Sequence, residues 1–337
     1  MTVLSVPRAF VWRRVHSLMG LWLTLFLMEH LLTNSQAALW LGENARGFVA
    51  MVNALHNLPY LQVIEVILLG VPLLIHGVLG IKYLLTSRSN SIRSDGSKPY
   101  IPLGRNRAYS WQRITSWVLL IGLILHVTKF RFLDYPETVQ VGTHTFYLVD
   151  VKMDEGLYTV ADRLNVSLFD EQAIKQERTA LNERGSEKTL LKAAESIRDQ
   201  NYDWKGPIPQ SYNSQKAMIL TAAERYEDQV NWVERLESHH LMQGEVVAAS
   251  TDFGIATVLA VRDTFKNPIY CTLYTIFVLA ACFHAFNGFW TFLITWGWVL
   301  KMAAQRAWVT VAIVLMLVIL FLGLAAIWGT YWVNLRY

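Results

Sequence analysis

Four histidines each lie in a different apolar segment of the 337-residue chain: His30, His76, His126 and His284. An ionisable side chain inside a membrane is costly and by default marks a functional site. Imidazole nitrogen binds metals, and a haem with two histidine ligands takes one nitrogen on each face of its ring. A single histidine of this kind could equally be neutral and hydrogen-bonded to a neighbouring helix. The depth of each residue decides between these interpretations.

The composition places these histidines in a membrane. Hydrophobic residues make up 53% of the chain and the mean hydropathy is +0.28, which is too apolar for a soluble protein of this length. A spanning helix needs roughly 20 apolar residues. Runs of that length predict five spans, at 18–41, 61–86, 114–133, 268–298 and 307–332. The predicted fold is an all-α integral membrane bundle of five transmembrane helices.

Basic residues orient the predicted spans, because cytoplasmic connections carry an excess of Lys and Arg. Three segments do so: Arg8, Arg13 and Arg14 before span 1; Lys82, Arg88, Arg93, Lys98, Arg105 and Arg107 between spans 2 and 3; Lys301 and Arg306 between spans 4 and 5. We expect the N-terminus in the cytoplasm, and the C-terminus and the connection between spans 3 and 4 outside.

Helical rise places His30 and His126 at one level. His30 follows Ser17 by 13 residues in span 1, and His126 follows Arg113 by 13 residues in span 3. Both spans run outward, so at 1.5 Å per residue both histidines lie roughly 20 Å from the cytoplasmic end. They share an outer level.

His76 and His284 share a deeper, inner level. They lie in spans 2 and 4, which run inward, 15 residues after Leu61 and Ile269, or roughly 22 Å from the outer surface. Two stacked haems need two pairs at two levels, because each iron takes one nitrogen from each of two helices. The chain has no CxxCH sequence, so these haems would be bound without covalent attachment.

Two glycines accompany the inner pair. Gly80 follows His76 by four residues and Gly288 follows His284 by four, each on the same helix face as its histidine. A missing side chain there leaves room for a flat macrocycle, or for close packing of one helix on another.

A long acidic segment separates spans 3 and 4. Residues 134–266 contain 22 Asp and Glu against 14 Lys and Arg, a net charge of 14 − 22 = −8. We divide the chain into spans 1–3 (1–134), an extracytoplasmic and mostly helical soluble insertion (135–250), and spans 4–5 (251–337). His239 and His240 in the insertion point in different directions on a helix, so we expect solvated surface histidines there.

The surroundings of the four histidines resemble the cytochrome b membrane subunit of succinate dehydrogenase and fumarate reductase. More narrowly, they look like the five-span, two-haem form of bacterial succinate:menaquinone oxidoreductases. The resemblance covers spans 1 to 4, in family order: "RRVHSLMG" with "LMEHLLTN", "LPYLQVIEVILLGVPLLIHGVLGIKY", "WQRITS" with "LILHVTKFR", and "CFHAFNGFWTFLITWG".

The resemblance implies a set of ligands. His76 and His284 would ligate a proximal haem b facing an iron–sulfur subunit, and His30 and His126 a distal haem b near the outer surface. Three residues occupy positions suited to haem propionates: His16, Ser17 and Arg113. For Arg113 there is an alternative explanation, because arginine commonly lies at the cytoplasmic end of a membrane span and sets its orientation.

The resemblance also implies partners and a location. A flavoprotein with FAD and an iron–sulfur subunit would oxidise succinate, since this chain has no GxGxxG or FAD site. The acceptor would be a quinone, with menaquinone favoured by the resemblance, in a bacterial cytoplasmic membrane. Lipid contacts and a higher oligomer of the complex are expected, and nucleic acid is not.

Glu29 and Glu65 are the only carboxylates in the predicted spans. Burial raises the pKa of a carboxyl group, which suits proton exchange with a quinone. Glu65, near the outer face, is the favoured candidate, although it could simply be solvated. Glu29 could handle protons or orient a neighbour, and His56 is a weaker candidate on the same side.

The chain departs from the family in two places, and two other functions stay open. The insertion exceeds 100 residues, and Cys282 stands where some relatives have a glutamate, so no transmembrane proton path is expected there. One alternative is a dihaem subunit of another quinone-linked oxidoreductase, such as formate dehydrogenase or nitrate reductase. The other is a carrier or anchor whose histidines serve metal transport, although the spans lack broken helices apart from Pro72.

Overall fold

The structure is a computed structural model that describes residues 6–39, 44–88, 90, 91, 93, 95, 96, 100, 101, 103–184, 188–199 and 210–337. The chain divides into two compact units. The first consists of Met1–Leu133 and Val261–Arg336, and the second of Asp134–Ala260 with Tyr337.

Among the residues that the structure describes, five helices of the first unit are long and apolar enough to cross a membrane, which agrees with the predicted number of spans. Span 2 has the predicted limits, but spans 1 and 3 begin ten residues earlier than predicted. Hydropathy detects only the apolar part of a helix, whereas the backbone hydrogen bonds continue through the polar residues before it. The spans are Arg8–Ser35, Leu61–Thr86, Gly104–Leu133, Pro268–Thr295 and Met302–Leu335.

Local sequence explains where span 4 begins. Asn267 is the N-cap, and its side-chain oxygen accepts a hydrogen bond of 2.9 Å from the backbone N–H of Ile269. Pro268 occupies the first helical position, where its missing N–H costs nothing. A short helix that the sequence analysis did not predict, Arg46–His56, follows span 1.

Three spans contain a stretch of π-helix: Val66–Gly70 in span 2, Thr128–Leu133 in span 3 and Thr330–Leu335 in span 5. Such stretches are rare and often occur at functional sites. The first directly follows Glu65, and the second begins two residues after His126.

Span 1 packs against spans 2, 4 and 5, and span 3 packs against span 4. The contact between spans 3 and 4 depends on Gly122, where an added Cβ would lie 2.4 Å from the ring of Phe277. Near the end of span 5, the fully buried Arg262 donates a 2.6 Å hydrogen bond from Nε to the carbonyl oxygen of Leu335. That bond satisfies a carbonyl at a helix end.

The second unit contains a four-stranded antiparallel sheet in the order β1-β2-β4-β3. Its strands are β1 (Glu137–Val141), β2 (His144–Lys152), β3 (Ser167–Phe169) and β4 (Glu245–Ser250). Its helices are Leu157–Leu164, Glu171–Glu183, Lys188–Asp199 and Gln210–Ser238, and Phe253–Phe265 continues across the unit boundary.

The expectation for the insertion was mostly helical and included no strands, so the sheet is an unpredicted addition to its helices. The core joins the sheet to two helices, through Val139, Leu148 and Val247 on the strands and Ile174 and Leu236 on the helices. The alternation that marks a half-exposed strand is absent from β4, where five consecutive residues are buried. Sequence periodicity therefore gave no signal for it.

Candidate functional site

The outer level brings together His30 of span 1 and His126 of span 3. Their ring centroids are 5.8 Å apart and their planes are inclined by 84°. Both side chains are half-buried between the helices. The Phe26 ring stacks on His30 at 5.4 Å, and Phe130 meets His126 edge-on at 5.3 Å. The pair therefore faces an apolar, aromatic surrounding.

The inner level brings together His76 of span 2 and His284 of span 4. Their centroids are 6.2 Å apart and the ring planes are inclined by 82°. The structure thus brings the four histidines together in the two pairs that their depths predicted.

In the outer pair, Nδ1 of each ring faces a polar side chain. Nδ1 of His126 lies 3.4 Å from the hydroxyl oxygen of Tyr274 on span 4. Nδ1 of His30 lies 3.5 Å from the side-chain amide nitrogen of Asn34, which also donates a 2.7 Å hydrogen bond to the carbonyl oxygen of His30.

In the inner pair, Nδ1 is again the nitrogen with polar neighbours. Nδ1 of His76 is 3.0 Å from the carbonyl oxygen of His16, which makes it a hydrogen-bond donor to that oxygen. Nδ1 of His284 lies 3.5 Å from the hydroxyls of both Thr115 and Ser116. Within the described parts of the chain, Nε2 of none of the four rings has a hydrogen bond, so Nε2 is the nitrogen left to bind a metal.

Two side chains proposed for propionates carry buried donors without partners. His16 stacks on His76, with centroids 4.0 Å apart and planes within 10°. Its Nδ1, and Nη1 of Arg113, are buried and have no hydrogen-bond partner among the described residues. Ser17 is half-buried beside His16. A buried donor left unpaired costs about 1–3 kcal/mol, so these nitrogens suit an acceptor supplied by a ligand.

Gly20 was missed by the sequence analysis although it closes the quoted segment "RRVHSLMG". An added Cβ there would lie 2.8 Å from Cε1 of His76. The glycines singled out from the sequence are less constrained: a Cβ at Gly80 would lie 3.5 Å from His16, and one at Gly288 would lie 3.9 Å from Gln112. Both are ordinary contacts, so Gly20 is the glycine that the position of His76 requires.

A chain of hydrogen bonds joins spans 3 and 4 beside His284, and it was also missed. The amide nitrogen of Gln112 donates to the carbonyl oxygen of His284 at 3.0 Å. Its oxygen accepts a 2.8 Å bond from Asn287, whose oxygen accepts a 3.0 Å bond from the indole N–H of Trp290. Polar side chains in an otherwise apolar span were the available signal.

The carboxylate of Glu65 is ion-paired with Arg131 at 2.8 Å, and about two fifths of each side chain is exposed. Arg131 lies in the π-helical stretch of span 3 and was not singled out from the sequence. Nearby, burial and the positive charge of Arg131 lower the pKa of His56, against the opposing effect of Glu65. The start of span 2, the end of span 3 and the short helix before span 2 therefore bring a carboxylate, a guanidinium and an imidazole close together.

Glu29 is placed differently. Its side chain is exposed, and its carboxylate accepts a 2.8 Å hydrogen bond from the hydroxyl of Thr33, one turn further along span 1. This contact is local to the helix and gives Glu29 an anchored position near His30.

His239 corrects the expectation of a solvated surface residue, whereas His240 is exposed as expected. Only 11% of the His239 side chain is exposed; Nδ1 lies 2.6 Å from Asp150, and Nε2 lies 3.4 Å from Glu137. Burial alone would lower the pKa of His239, but the two carboxylates outweigh it and raise the pKa.

The fold and site define a class: a helical membrane protein with two facing histidine pairs at separate levels between its spans. Over 129 residues the chain is 31% identical to the succinate dehydrogenase cytochrome b558 subunit of Bacillus subtilis (strain 168). The match covers 38% of this chain and 58% of that protein, which is less than two thirds of its length. This similarity supports the family resemblance of the sequence.

No protein-family model matches the chain. No solved structure matches it either.

Proposed function

We propose that this chain is a dihaem cytochrome b membrane anchor of a succinate:quinone oxidoreductase. The observation that carries the proposal is the pairing of four imidazoles at two levels. Nδ1 of His76, His126 and His284 faces an oxygen that can accept its proton, and Nε2 of all four rings has no hydrogen bond among the described residues. A haem-ligating histidine uses one ring nitrogen for iron, while the other is oriented by a hydrogen-bond partner.

The separation within each pair fits an iron atom between the rings. Metal–imidazole bonds are about 2 Å long, so an iron atom bound by both imidazoles would hold their ring centroids no more than roughly 6 Å apart. The observed centroid distances are 5.8 Å and 6.2 Å. His30 with His126 would hold the distal haem b, and His76 with His284 the proximal haem b.

The buried donors of His16 and Arg113 support propionate binding beside the inner pair. A guanidinium binds carboxylates through charge-assisted hydrogen bonds, and Ser17 adds a hydroxyl in the same region. Gly20 leaves space along His76 that any side chain would fill. Bound haem would supply reversible one-electron transfer at each level.

Quinone chemistry needs protons as well as electrons, and Glu65 is the proposed proton carrier. Oε2 of Glu65, held by the ion pair with Arg131, is the oxygen that would exchange a proton with the quinone. To donate a proton to a quinone, the carboxylate must first be protonated from the aqueous side, to which it is partly exposed. The menaquinone site is accordingly proposed at the outer ends of spans 2 and 3.

The remaining parts of the reaction belong to proposed partners. A flavoprotein subunit would oxidise succinate, and an iron–sulfur subunit would pass electrons to the inner pair from the side carrying the basic connections. The multi-pass chain would lie in a bacterial cytoplasmic membrane, with the insertion and the C-terminus outside.

Haem stoichiometry tests the proposal. Protein purified from membranes should contain two non-covalently bound b haems per chain. The His126→Ala variant should retain one, because only the outer pair is broken. Fewer than two haems in the unmodified chain, or haem content unchanged in the variant, would contradict the dihaem assignment.

A further inference from the structure

A cavity of about 240 Å³ lies at the basic end of span 1. It is lined by Phe10, Val11, Arg14, Val15, Leu18 and Trp296. Five of these residues are spaced along span 1 at intervals that place them on one helix face. The sixth, Trp296, follows the last residue of span 4. The cavity is therefore an apolar groove between the start of span 1 and the residue that follows span 4.

Two hydrogen-bond donors belong to this apolar lining. The guanidinium carbon of Arg14 lies 3.5 Å from the centroid of the Phe10 ring, so the aromatic face holds the charge beside the groove. The indole Nε1 of Trp296 is buried and has no hydrogen-bond partner among the described residues. A buried donor without a partner is costly, so an acceptor from outside the chain is expected at this position.

The charge of the region selects an anion. Arg8 and Arg13 flank the same helix end, and the first turn of span 1 contains no acidic residue. The apolar lining remains accessible, with Phe10 46%, Val11 45% and Leu18 42% exposed. An occupant with one acidic head group and a hydrocarbon tail would match both features.

We propose that this groove binds one anionic phospholipid. Its phosphate oxygens would accept hydrogen bonds from Arg14 and from the indole N–H of Trp296, while an acyl chain lies along Val15 and Leu18. Basic pockets between spans bind lipid head groups in this manner, and guanidinium–phosphate bonds are strong because both groups are charged. The inference does not depend on haem binding and goes beyond the proposed electron transfer.

Native mass spectrometry of the full chain in mild detergent tests the site, with phosphatidylglycerol and phosphatidylcholine as probes. The unmodified chain should retain one phosphatidylglycerol and discriminate against phosphatidylcholine. Arg14→Gln should lower retention about fivefold or more, as expected for the loss of one cationic contact. Trp296→Phe should also lower retention, because it removes the N–H while preserving an aromatic ring.

Arg13→Gln is the matched control, since it removes the same charge from the adjacent residue, which does not line the groove. A smaller loss of retention than in Arg14→Gln is expected, because Arg13 adds to the positive charge of the region but makes no contact in the groove. Equal loss in Arg13→Gln, or unchanged retention in both Arg14→Gln and Trp296→Phe, would overturn the proposal. Displacement of the lipid by millimolar inorganic phosphate would also overturn the proposal. The proposal would fail as well if the unmodified chain retained no lipid and Arg14→Gln released a protein partner instead.

Discussion

The imidazoles of His30 and His126 face each other with centroids 5.8 Å apart, although 126 − 30 = 96 residues separate them in the chain. They come from two spans that run in the same direction, so equal depth along each helix brings them to the same level. The Tyr274 hydroxyl, contributed by a third helix, lies 3.4 Å from Nδ1 of His126. Three spans thus define the outer site.

Replacement of Tyr274 by phenylalanine should change one redox potential. If Nε2 of His126 binds iron, Nδ1 carries a proton and donates it toward the tyrosine hydroxyl, which makes the imidazole a more basic ligand. Loss of this acceptor should raise the midpoint potential of the outer haem by up to roughly 60 mV, which corresponds to a tenfold change in the equilibrium constant for its one-electron reduction. Potentiometric titration checks this, with Tyr270→Phe on the same span as the control. An equal shift of the inner haem would contradict the assignment.

The substitution Gly20→Ala should remove the inner haem selectively. Its Cβ would lie 2.8 Å from Cε1 of His76, which forces the imidazole out of position and costs about 1–3 kcal/mol of overpacking. Haem content should fall from two to one per chain, with the outer haem spectrum intact. Gly77→Ala is the control, because no atom of the described residues lies within 4 Å of its added Cβ. Equal haem loss in both variants would show that Gly20 has no special role.

Glu65→Gln should impair quinone turnover without loss of haem. A positioned proton carrier typically contributes at least about a hundredfold to rate, so quinone reduction should fall by that order. Stability should change by less than about 1 kcal/mol, because the ion pair with Arg131 is partly exposed. Glu29→Gln is the matched control. A larger effect on quinone reduction at Glu29 than at Glu65 would reverse their proposed roles.

The insertion should lose stability as the pH rises. The pKa of His239 is raised in the folded chain by Asp150 and Glu137, and Arg235 is the cation paired with Glu137. A group with a raised folded pKa contributes stability that is fully present below its unfolded pKa, near 6.5, and is lost as pH rises through the folded value.

Hydrogen exchange in the full protein measures this pH effect. After correction for intrinsic exchange, β2 and helix Gln210–Ser238 should be better protected at pH 5.5 than at pH 8. His239→Gln should abolish the difference and His240→Gln should preserve it. Greater protection at pH 8 in the unmodified chain would refute the role of His239.

The number of spans could be predicted because a bilayer of fixed thickness demands long apolar runs. The pairing of the four histidines followed from the direction assigned to each span and from the rise per residue of an α-helix, which together give the depth of each residue. Helix starts were less predictable: Arg8 and Gly104 lie before the apolar runs, where hydrogen bonding rather than hydropathy determines the helix.

Other parts of the site depend on contacts that no local pattern encodes. Gly20 matters because a ring from span 2 lies against it, and Arg131 matters because Glu65 from another helix reaches it. The sheet of the insertion escaped prediction because β4 is buried on both faces and β3 has only three residues. Contacts between side chains of different helices or strands depend on how the whole chain packs, which no local sequence pattern describes.

Potentiometric titration of the b-type absorption, in the unmodified chain and in two variants, tests the central claim most directly. We expect two one-electron transitions in the unmodified chain. His76→Ala should abolish one transition and His126→Ala the other, because each breaks a different pair. A single transition in the unmodified chain, or loss of the same transition in both variants, would contradict two haems held by His30 with His126 and by His76 with His284.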